Sequence, residues 1–138
     1  MKIKNEKTSN VDVLIRVNLT PRWVEAGTDT PYAGDVSLID LVFSNLDKNM
    51  DLGNSWVYGD DGYYYYKAKV APGSSTEELL NSVKIKEGKT IPEEYKGKDF
   101  VVDVNAEGVA ANTSEYRKVW STISEGSSLD TMLSEICN

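Results

Sequence analysis

The sequence predicts a mainly β fold, an antiparallel β-sandwich with a few short helices. Apolar and polar residues alternate near the start of the chain, as in a strand with one buried face. Aromatic and β-branched residues flank an Asp-Gly turn further along, as in a β-hairpin. Short apolar segments separated by turn-forming residues complete the pattern. With 138 residues, 40% of them hydrophobic and 27% charged, the chain has the size and composition of one domain with one core.

The first strands are predicted from alternation and from apolar runs. Residues 11–19 alternate in polarity, and the apolar positions are Val11, Val13, Ile15, Val17 and Leu19. Pro21 is predicted to end this strand. Residues 36–43 (VSLIDLVF) are apolar at most positions, which predicts an interior strand that is covered on both faces.

The middle of the chain predicts a hairpin followed by a helical turn. Residues 56–58 and 63–70 form the two strands. Residues 59–62 (GDDG) form the turn, because Asp-Gly provides the positive φ angles that tight hairpin turns require. Ser and Glu in residues 75–78 have the spacing of a helix-capping box, so residues 76–81 are predicted to form one or two helical turns.

The second half of the chain predicts two strands and two helices. Residues 83–86 and 100–106 are the strand candidates. Residues 114–120 and 129–136 are predicted to be helical, and the apolar residues of the second helix have amphipathic spacing. Residues 121–138 are therefore predicted to be a helical C-terminal extension of a single domain that includes the whole chain.

The composition excludes many functional classes. The chain has no histidine, so it cannot form a Ser-His-Asp triad, a Cys-His pair or a histidine-ligated zinc or iron site. Its only cysteine, Cys137, cannot form an intrachain disulfide. The net charge of −7 is unfavourable for nucleic-acid binding, and no apolar run is long enough to cross a bilayer. These observations exclude most common hydrolase chemistry, nucleic-acid binding and membrane insertion. Catalysis by carboxylate, lysine, tyrosine or an oxygen-ligated cation stays open, but each needs its own signature, and we expect neither an enzyme nor a cofactor.

One polar segment has the spacing of a calcium-binding loop. Asp47, Asn49 and Asp51 alternate as the first oxygen ligands of such loops do. The glycine comes later than in those loops, and Tyr58 stands where the bidentate carboxylate belongs. The sequence therefore predicts a solvated polar loop and no metal site, and calcium binding by these three residues is the alternative.

Four consecutive tyrosines provide a candidate binding surface. Tyr63 and Tyr65 project from one face of the predicted strand, and Tyr64 and Tyr66 project from the other. One pair is expected to pack in the core, which leaves the other pair to form an aromatic platform with Trp56. Such a platform suits sugar rings or a partner chain, so a carbohydrate- or surface-binding β-sandwich module is one candidate function. The alternative is that these aromatic residues only clad the sheet.

Several motifs in a fixed order resemble those of one family. They are residues 13–23 (VLIRVNLTPRW), Trp56 with residues 61–67 (DGYYYYK), residues 72–83 (PGSSTEELLNSV), and residues 104–110 (VNAEGVA) followed by Trp120. Together they resemble the SipW-dependent, BsaA-type biofilm matrix proteins, relatives of TasA and camelysin from Gram-positive bacteria. The resemblance extends from Ile3 to Trp120, and its motifs are structural, not catalytic.

The resemblance implies a secreted structural protein with a jelly-roll-like β-sandwich fold, a subunit of pilus-like fibres of the extracellular biofilm matrix or cell surface. Its expected partners are copies of itself or homologous subunits, with matrix polysaccharide as a further candidate. Members of the TasA group assemble when an N-terminal strand of one subunit completes the sheet of the next. Compared with family precursors, the sequence is expected to lack a signal peptide and a mature N-terminal segment.

Strand donation also predicts where an assembly surface lies. A sheet that lacks one strand presents unpaired N–H and C=O groups beside apolar side chains, and a strand of another chain can pair with them. We expect the first strand to provide this edge. The candidate residues are Val11, Val13, Ile15, Val17 and Leu19.

Overall fold

The structure is a computed structural model that describes all 138 residues, and it is mainly β, with 36% strand and 17% helix. The strands are β1 (Val13–Glu25), β2 (Pro31–Tyr32), β3 (Ile39–Phe43), β4 (Leu46–Asp47), β5 (Trp56–Tyr58), β6 (Tyr64–Tyr66), β7 (Leu80–Ile85) and β8 (Lys98–Ala110). The α-helices are α1 (Thr113–Val119) and α2 (Ser128–Cys137). Single 3-10 turns occur at Val36–Leu38 and Glu93–Tyr95.

The larger of two sheets is built around β1. β8 pairs antiparallel with β1 along its whole length, from Val13 opposite Ala110 to Glu25 opposite Lys98. On the other side of β1, β6 and β2 pair with successive parts of the strand. β5 and β4 continue the sheet beyond β6, and β4 runs parallel to β5, so this sheet is mixed. The smaller sheet consists of antiparallel β3 and β7.

Both faces of the larger sheet are covered. The two helices pack on one face, where the core consists of Leu14, Val57, Tyr65, Val109, Tyr116, Trp120, Leu129, Met132, Leu133 and Ile136. On the other face, a second core cluster consists of Ile15, Val17, Trp56, Tyr66, Val70 and Leu79, with Phe43 of the smaller sheet packed against it. The C-terminal segment therefore contributes α2 to the main core of the protein.

A third cluster closes the far end of the sheets around Trp23. Trp23 packs with Leu38 and Ile39, and its ring meets the ring of Tyr95 edge-to-face at a centroid distance of 4.7 Å. Its indole N–H donates to the carbonyl of Asp35 at 2.9 Å. The connection between β7 and β8 is thereby fixed to β1.

Gly34→Ala is expected to lower the free energy of unfolding by about 1–3 kcal/mol, the usual cost of overpacking. A Cβ atom at position 34 would lie 2.6 Å from Trp23 Cδ1 and 2.9 Å from Tyr95 Cε2, and both rings are fixed by their neighbours. Urea unfolding measures the change. Gly53→Ala is the control, since its Cβ would have no neighbour nearer than 4.0 Å. Equal losses in the two variants would contradict the prediction.

The hairpin and both helices form near the predicted positions, although the second hairpin strand, predicted over residues 63–70, is limited to Tyr64–Tyr66. β5 and β6 pair antiparallel, and Gly62 in the turn between them has a φ of +87°. The side chain of Asn112 accepts hydrogen bonds from the first N–H groups of α1, and Ser127 caps α2 in the same way. Local sequence signals were sufficient for these elements because turns and caps depend on neighbouring residues.

The first strand continues to Glu25, so the prediction that Pro21 ends it is wrong. Odd-numbered residues of β1 direct their backbone groups away from β8, since Val13 exchanges hydrogen bonds with Val70 and the N–H of Glu25 donates to Thr30. Pro21 belongs to this set and lies between the positions that pair with β6 and with β2. No strand lies opposite its nitrogen, so the proline interrupts no hydrogen bond.

Residues 76–81 are extended, and the predicted helix is therefore wrong. The carboxylate of Glu78 does not cap a helix but accepts hydrogen bonds from Ser44 Oγ at 3.1 Å and Asn81 Nδ2 at 3.0 Å. Backbone N–H groups of the segment donate instead to the first residues of the chain. Long-range pairing has replaced the local helical hydrogen bonds.

Other predicted strands form with different bounds. β7 begins at Leu80, before the predicted start at residue 83, and β8 extends beyond both ends of the predicted 100–106. Residues 36–38, expected to begin a strand, form a 3-10 turn because the side chain of Asp35 accepts a hydrogen bond from the N–H of Ser37.

Candidate assembly surfaces

The predicted assembly edge at the start of the chain is not an edge. β1 is paired with β8 on one side and with β6 and β2 on the other, and Val13 forms a further bridge with Val70. Ile15 and Val17 are buried in the core. The prediction is therefore wrong for Val13, Ile15 and Val17, which lie in the interior of the sheet. Of the other two predicted residues, Val11 lies before β1 and Leu19 lies in the gap between the positions that pair with β6 and with β2, so the five residues do not form one continuous edge.

The free edge of the larger sheet is β8, whose only strand partner is β1. The N–H of Ala111 donates to Asp12 O, which shows that odd-numbered residues of this strand direct their backbone groups toward β1. The even-numbered residues therefore direct theirs away from the sheet. No strand lies on this side of β8; the open positions along its middle are Val102, Val104, Ala106 and Gly108, whereas the N–H of Phe100 donates to Asp99 Oδ1 at 2.8 Å.

The first five residues lie as a short additional strand against residues 73–79. The backbone hydrogen bonds are Asn5 N–H to Ser74 O (2.9 Å), Gly73 N–H to Asn5 O (2.6 Å), Thr76 N–H to Ile3 O (2.8 Å) and Leu79 N–H to Met1 O (2.9 Å). Lys4 lies directly opposite Ser75, and both side chains are exposed. We call residues 1–5 the N-terminal strand.

Asn5 anchors the N-terminal strand to the body of the protein. It is 7% exposed, and its Nδ2 donates to the carbonyls of Val11 at 3.0 Å and Val70 at 2.9 Å. Met1 and Ile3 pack against the second core cluster. The connection to β1, residues 6–12, is mostly exposed, so the strand is held mainly by its own contacts.

The candidate calcium residues surround a lysine. The ammonium group of Lys67 is buried and lies 2.6 Å from Asp51 Oδ1, 3.1 Å from Asp47 Oδ2 and 3.1 Å from the carbonyl oxygen of Asn49. Burial alone would lower the pKa of Lys67, but the hydrogen bonds to Asp51 and Asp47 raise it on balance. The alternative of calcium binding by Asp47, Asn49 and Asp51 is therefore wrong, because an internal cation already occupies the space between these oxygens.

Trp56 cannot belong to an exposed aromatic platform. Trp56, Tyr65 and Tyr66 are all buried, since β6 has the helices on one face and the second core cluster on the other. Tyr63 lies over the guanidinium of Arg16 at 3.9 Å. The predicted platform is therefore wrong, because both faces of the hairpin are covered.

The exposed aromatic surface of the hairpin is formed by different residues. Tyr58 is 53% exposed, and its ring lies 4.7 Å from that of the half-buried Tyr64. The ring centroid of Phe43 lies 5.1 Å from that of Tyr64. The rings are inclined to one another by 55° and 37°, so they do not form the flat surface on which a sugar ring stacks.

A buried arginine cluster was not predicted from the sequence. Arg16 donates to Thr122 Oγ1 at 2.9 Å, to the Tyr65 hydroxyl at 3.1 Å and to Glu107 Oε1 at 3.1 Å, and Asp61 lies 3.8 Å away. Burial alone would lower the pKa of Arg16, but the hydrogen bonds to Tyr65 and Glu107 raise it on balance. The cluster joins β1, β8, the hairpin turn and the loop before α2. Its only sequence signal was a charged residue within the alternating strand.

A second internal cluster holds the two helices together. Asp130 is 1% exposed and accepts hydrogen bonds from Arg117 Nη2 at 2.7 Å, Tyr116 Oη at 2.5 Å and the Gly126 N–H at 2.9 Å. Arg117, together with Tyr116 and the Gly126 N–H, lowers the pKa of Asp130 to about 2. Asp130 is therefore a structural anion and is ionised at neutral pH.

No protein-family model, curated protein or solved structure matches the chain. None of its helices has the length and apolar composition needed to span a membrane. Two surface features stand out: the unpaired edge of β8 and an N-terminal strand that is joined to the body by an exposed connection. The charged clusters, by contrast, are internal and paired.

Proposed function

We propose that this protein is a non-catalytic, secreted structural protein, a jelly-roll-like subunit of extracellular biofilm-matrix fibres. Subunits assemble by exchanging the N-terminal strand, so that the strand of one copy occupies the corresponding site on the next. The observation that carries the proposal is the pairing of residues 1–5 with residues 73–79 through backbone hydrogen bonds. The motifs that resemble BsaA-type matrix proteins support the same function.

Exchange costs little free energy because it preserves the contacts of the closed subunit. The backbone bonds to residues 73–79 and the packing of Met1 and Ile3 form equally well with a strand from a neighbour. Residues 6–12 can extend by roughly 3.3 Å each, a span of about 23 Å, which lets the strand reach a neighbouring subunit. Because each copy gives its strand to the next and receives one from the previous copy, the assembly is an open chain.

A disulfide between the N-terminal strand and its site tests the proposal. Lys4 and Ser75 form a non-hydrogen-bonded antiparallel pair, for which Cα atoms are about 4.5 Å apart, a separation that a disulfide can bridge. We expect K4C/S75C/C137S to form fibres when reduced and none when oxidised, as observed by electron microscopy. The reduced protein should form fibres without added polysaccharide, unlike a module whose role is carbohydrate binding.

S75C/C137S is the matched control, because one cysteine cannot close the strand onto its own subunit. This variant should form fibres under oxidising and reducing conditions alike. Fibres from the oxidised double-cysteine protein, or a reduced protein that stays monomeric, would refute strand exchange.

A further inference from the structure

The free edge of β8 lacks several of the features that usually prevent strands from pairing with other chains. Residues 101–108 contain no lysine and no proline, and the register with β1 runs without a bulge. Edge strands of monomeric proteins are commonly protected by one of these devices. Val104, near the middle of the strand, is 45% exposed.

One face of β8 carries a continuous apolar row. Residues directly opposite on neighbouring strands share a face, so Ala106 lies on the same side as Val17 and Val104 on the same side as Leu19. The row consists of Phe100, Val102, Val104, Ala106 and Gly108. A groove of about 400 Å³ adjoins Ala106 and Gly108, and the N-terminal strand forms its far wall.

Two of the three acidic residues on the opposite face of β8 are paired with arginines of the same chain, and the third, Asp99, lies near the end of the strand. Asp103 accepts a hydrogen bond from Arg22 at 2.7 Å, and Glu107 accepts one from Arg16 at 3.1 Å. A second strand approaching the middle of this edge therefore meets paired carboxylates and not free negative charge.

We propose that β8 pairs antiparallel with β8 of a second copy of this protein, about a two-fold axis at Val104. In this register Val104 faces its own counterpart, Val102 faces the partner's Ala106, and Phe100 faces the partner's Gly108. Large side chains thus meet small ones, and the groove beside Ala106 adjoins the partner's Val102, whereas Phe100 stays packed against Trp23 of its own subunit. Outward-facing backbone groups lie opposite each other, so each hydrogen-bonded pair contributes two bonds.

Electrostatic repulsion disfavours the two alternative registers in which the axis is shifted by one residue. With the axis at Val104, Asp103 faces Asn105 and Glu107 faces Val101, so no like charges are opposed. Moving the axis by one residue toward the N-terminus sets Asp99 against the partner's Glu107. Moving it the other way sets Asp103 against Glu107, and directly opposed like charges are unfavourable.

This pairing is independent of strand exchange and joins subunits side by side. Exchange uses residues 1–5 and 73–79, whereas the β8 contact uses the free edge of the larger sheet. A fibre can therefore associate laterally through β8 while its subunits are linked end to end by their N-terminal strands. Each contact can be removed without removing the other.

Sedimentation velocity of the oxidised K4C/S75C/C137S protein isolates the β8 contact, because exchange is blocked. We expect a monomer–dimer equilibrium with nothing larger than a dimer. Adding Val104→Lys should weaken dimerisation by about tenfold or more, since two ammonium groups would meet at the axis. Val119→Lys is the control, because Val119 is 57% exposed but lies on α1, and it should leave the equilibrium unchanged.

A cysteine at the axis tests the register in a protein that contains no other thiol. V104C/C137S should form a covalent dimer on oxidation, whereas N105C/C137S should not, because Asn105 would face the partner's Asp103. The proposal is overturned if the locked protein stays monomeric at high concentration, if V104K and V119K behave alike, or if V104C forms no disulfide. Capture of a neighbour's N-terminal strand by β8 would also leave V104C uncoupled, and so would overturn it.

Discussion

Asp130→Ala is expected to lower the free energy of unfolding by about 2–3 kcal/mol, because the hydrogen bonds to a buried carboxylate are lost while the charge of Arg117, 39% exposed, stays hydrated. The carboxylate is buried between the helices and is bound by Arg117, the Tyr116 hydroxyl and the Gly126 N–H. Without it, Arg117 and the Gly126 N–H lose their acceptor, the Tyr116 hydroxyl keeps only the backbone carbonyl of residue 130 at 3.0 Å, and α2 loses its main polar link to α1. Urea unfolding followed by circular dichroism measures the loss.

Glu125→Ala is the matched control for the same arginine. Glu125 lies 3.5 Å from Arg117 but is 80% exposed, and exposed ion pairs contribute about 0–1 kcal/mol. We expect a change within that range. A loss in E125A as large as that in D130A would show that Arg117, and not the buried site of Asp130, determines the effect.

The pH dependence of stability should also depend on Asp130. Its pKa of about 2 in the folded state lies below that of an unfolded aspartate, about 3.9, so protonation favours unfolding. Its contribution is fully present above about pH 4 and is lost as the pH falls toward 2. The difference in stability between the wild type and D130A should therefore shrink over this interval. A difference that stays constant down to pH 2 would contradict the assignment.

Lys67→Met is expected to lower the free energy of unfolding by about 3 kcal/mol. Methionine retains the packing of the lysine stem but removes the charge between Asp47, Asp51 and the carbonyl of Asn49. The two carboxylates then face each other without a cation. The loss is at the low end for buried pairs because both carboxylates are partly exposed, so water can reach them. Urea unfolding at neutral pH measures it.

Lys69→Met is the control for Lys67. Lys69 is two residues away and half exposed, and its only ion pair, with Asp12, is 4.0 Å long, so we expect a change below about 1 kcal/mol. K67M/D51N should be more stable than K67M, because it removes the repulsion between the carboxylates. If Asp51→Asn fails to restore any stability in the K67M protein, electrostatic repulsion is not the cause.

Local sequence signals located much of the secondary structure. Asp61-Gly62 predicted the hairpin, and the capping residues of α1 and α2 predicted both helices, because the chemistry of a turn or cap lies within a few residues. The same reasoning gave a wrong prediction at residues 76–81, where the Ser75–Glu78 spacing indicated a helix. The N–H groups of this segment pair with the N-terminal strand, and a local pattern contains no information about that partner.

The predictions of the candidate sites were wrong because each site depends on which residues pack against it in the folded protein. The spacing of calcium ligands is present at Asp47, Asn49 and Asp51. In the folded protein, however, the ammonium group of Lys67 lies between these residues, where a calcium ion would bind. Trp56 belongs to a hairpin that would be half exposed in a two-layer sandwich. Here the helices add a third layer, and the hairpin is buried on both faces.

The sequence by itself determined that the chain is mainly β, that it lacks histidine chemistry, and where its hairpin and helices lie. These properties follow from the periodicity of short segments and from the composition of the whole chain. Both can be obtained from the sequence without knowing which segments pair. The tertiary structure decided that β1 is central, that β8 is the free edge and that Lys67 and Arg16 are internal cations. Edges and ion pairs join residues far apart in the chain, so only the folded arrangement of strands shows which groups remain unpaired.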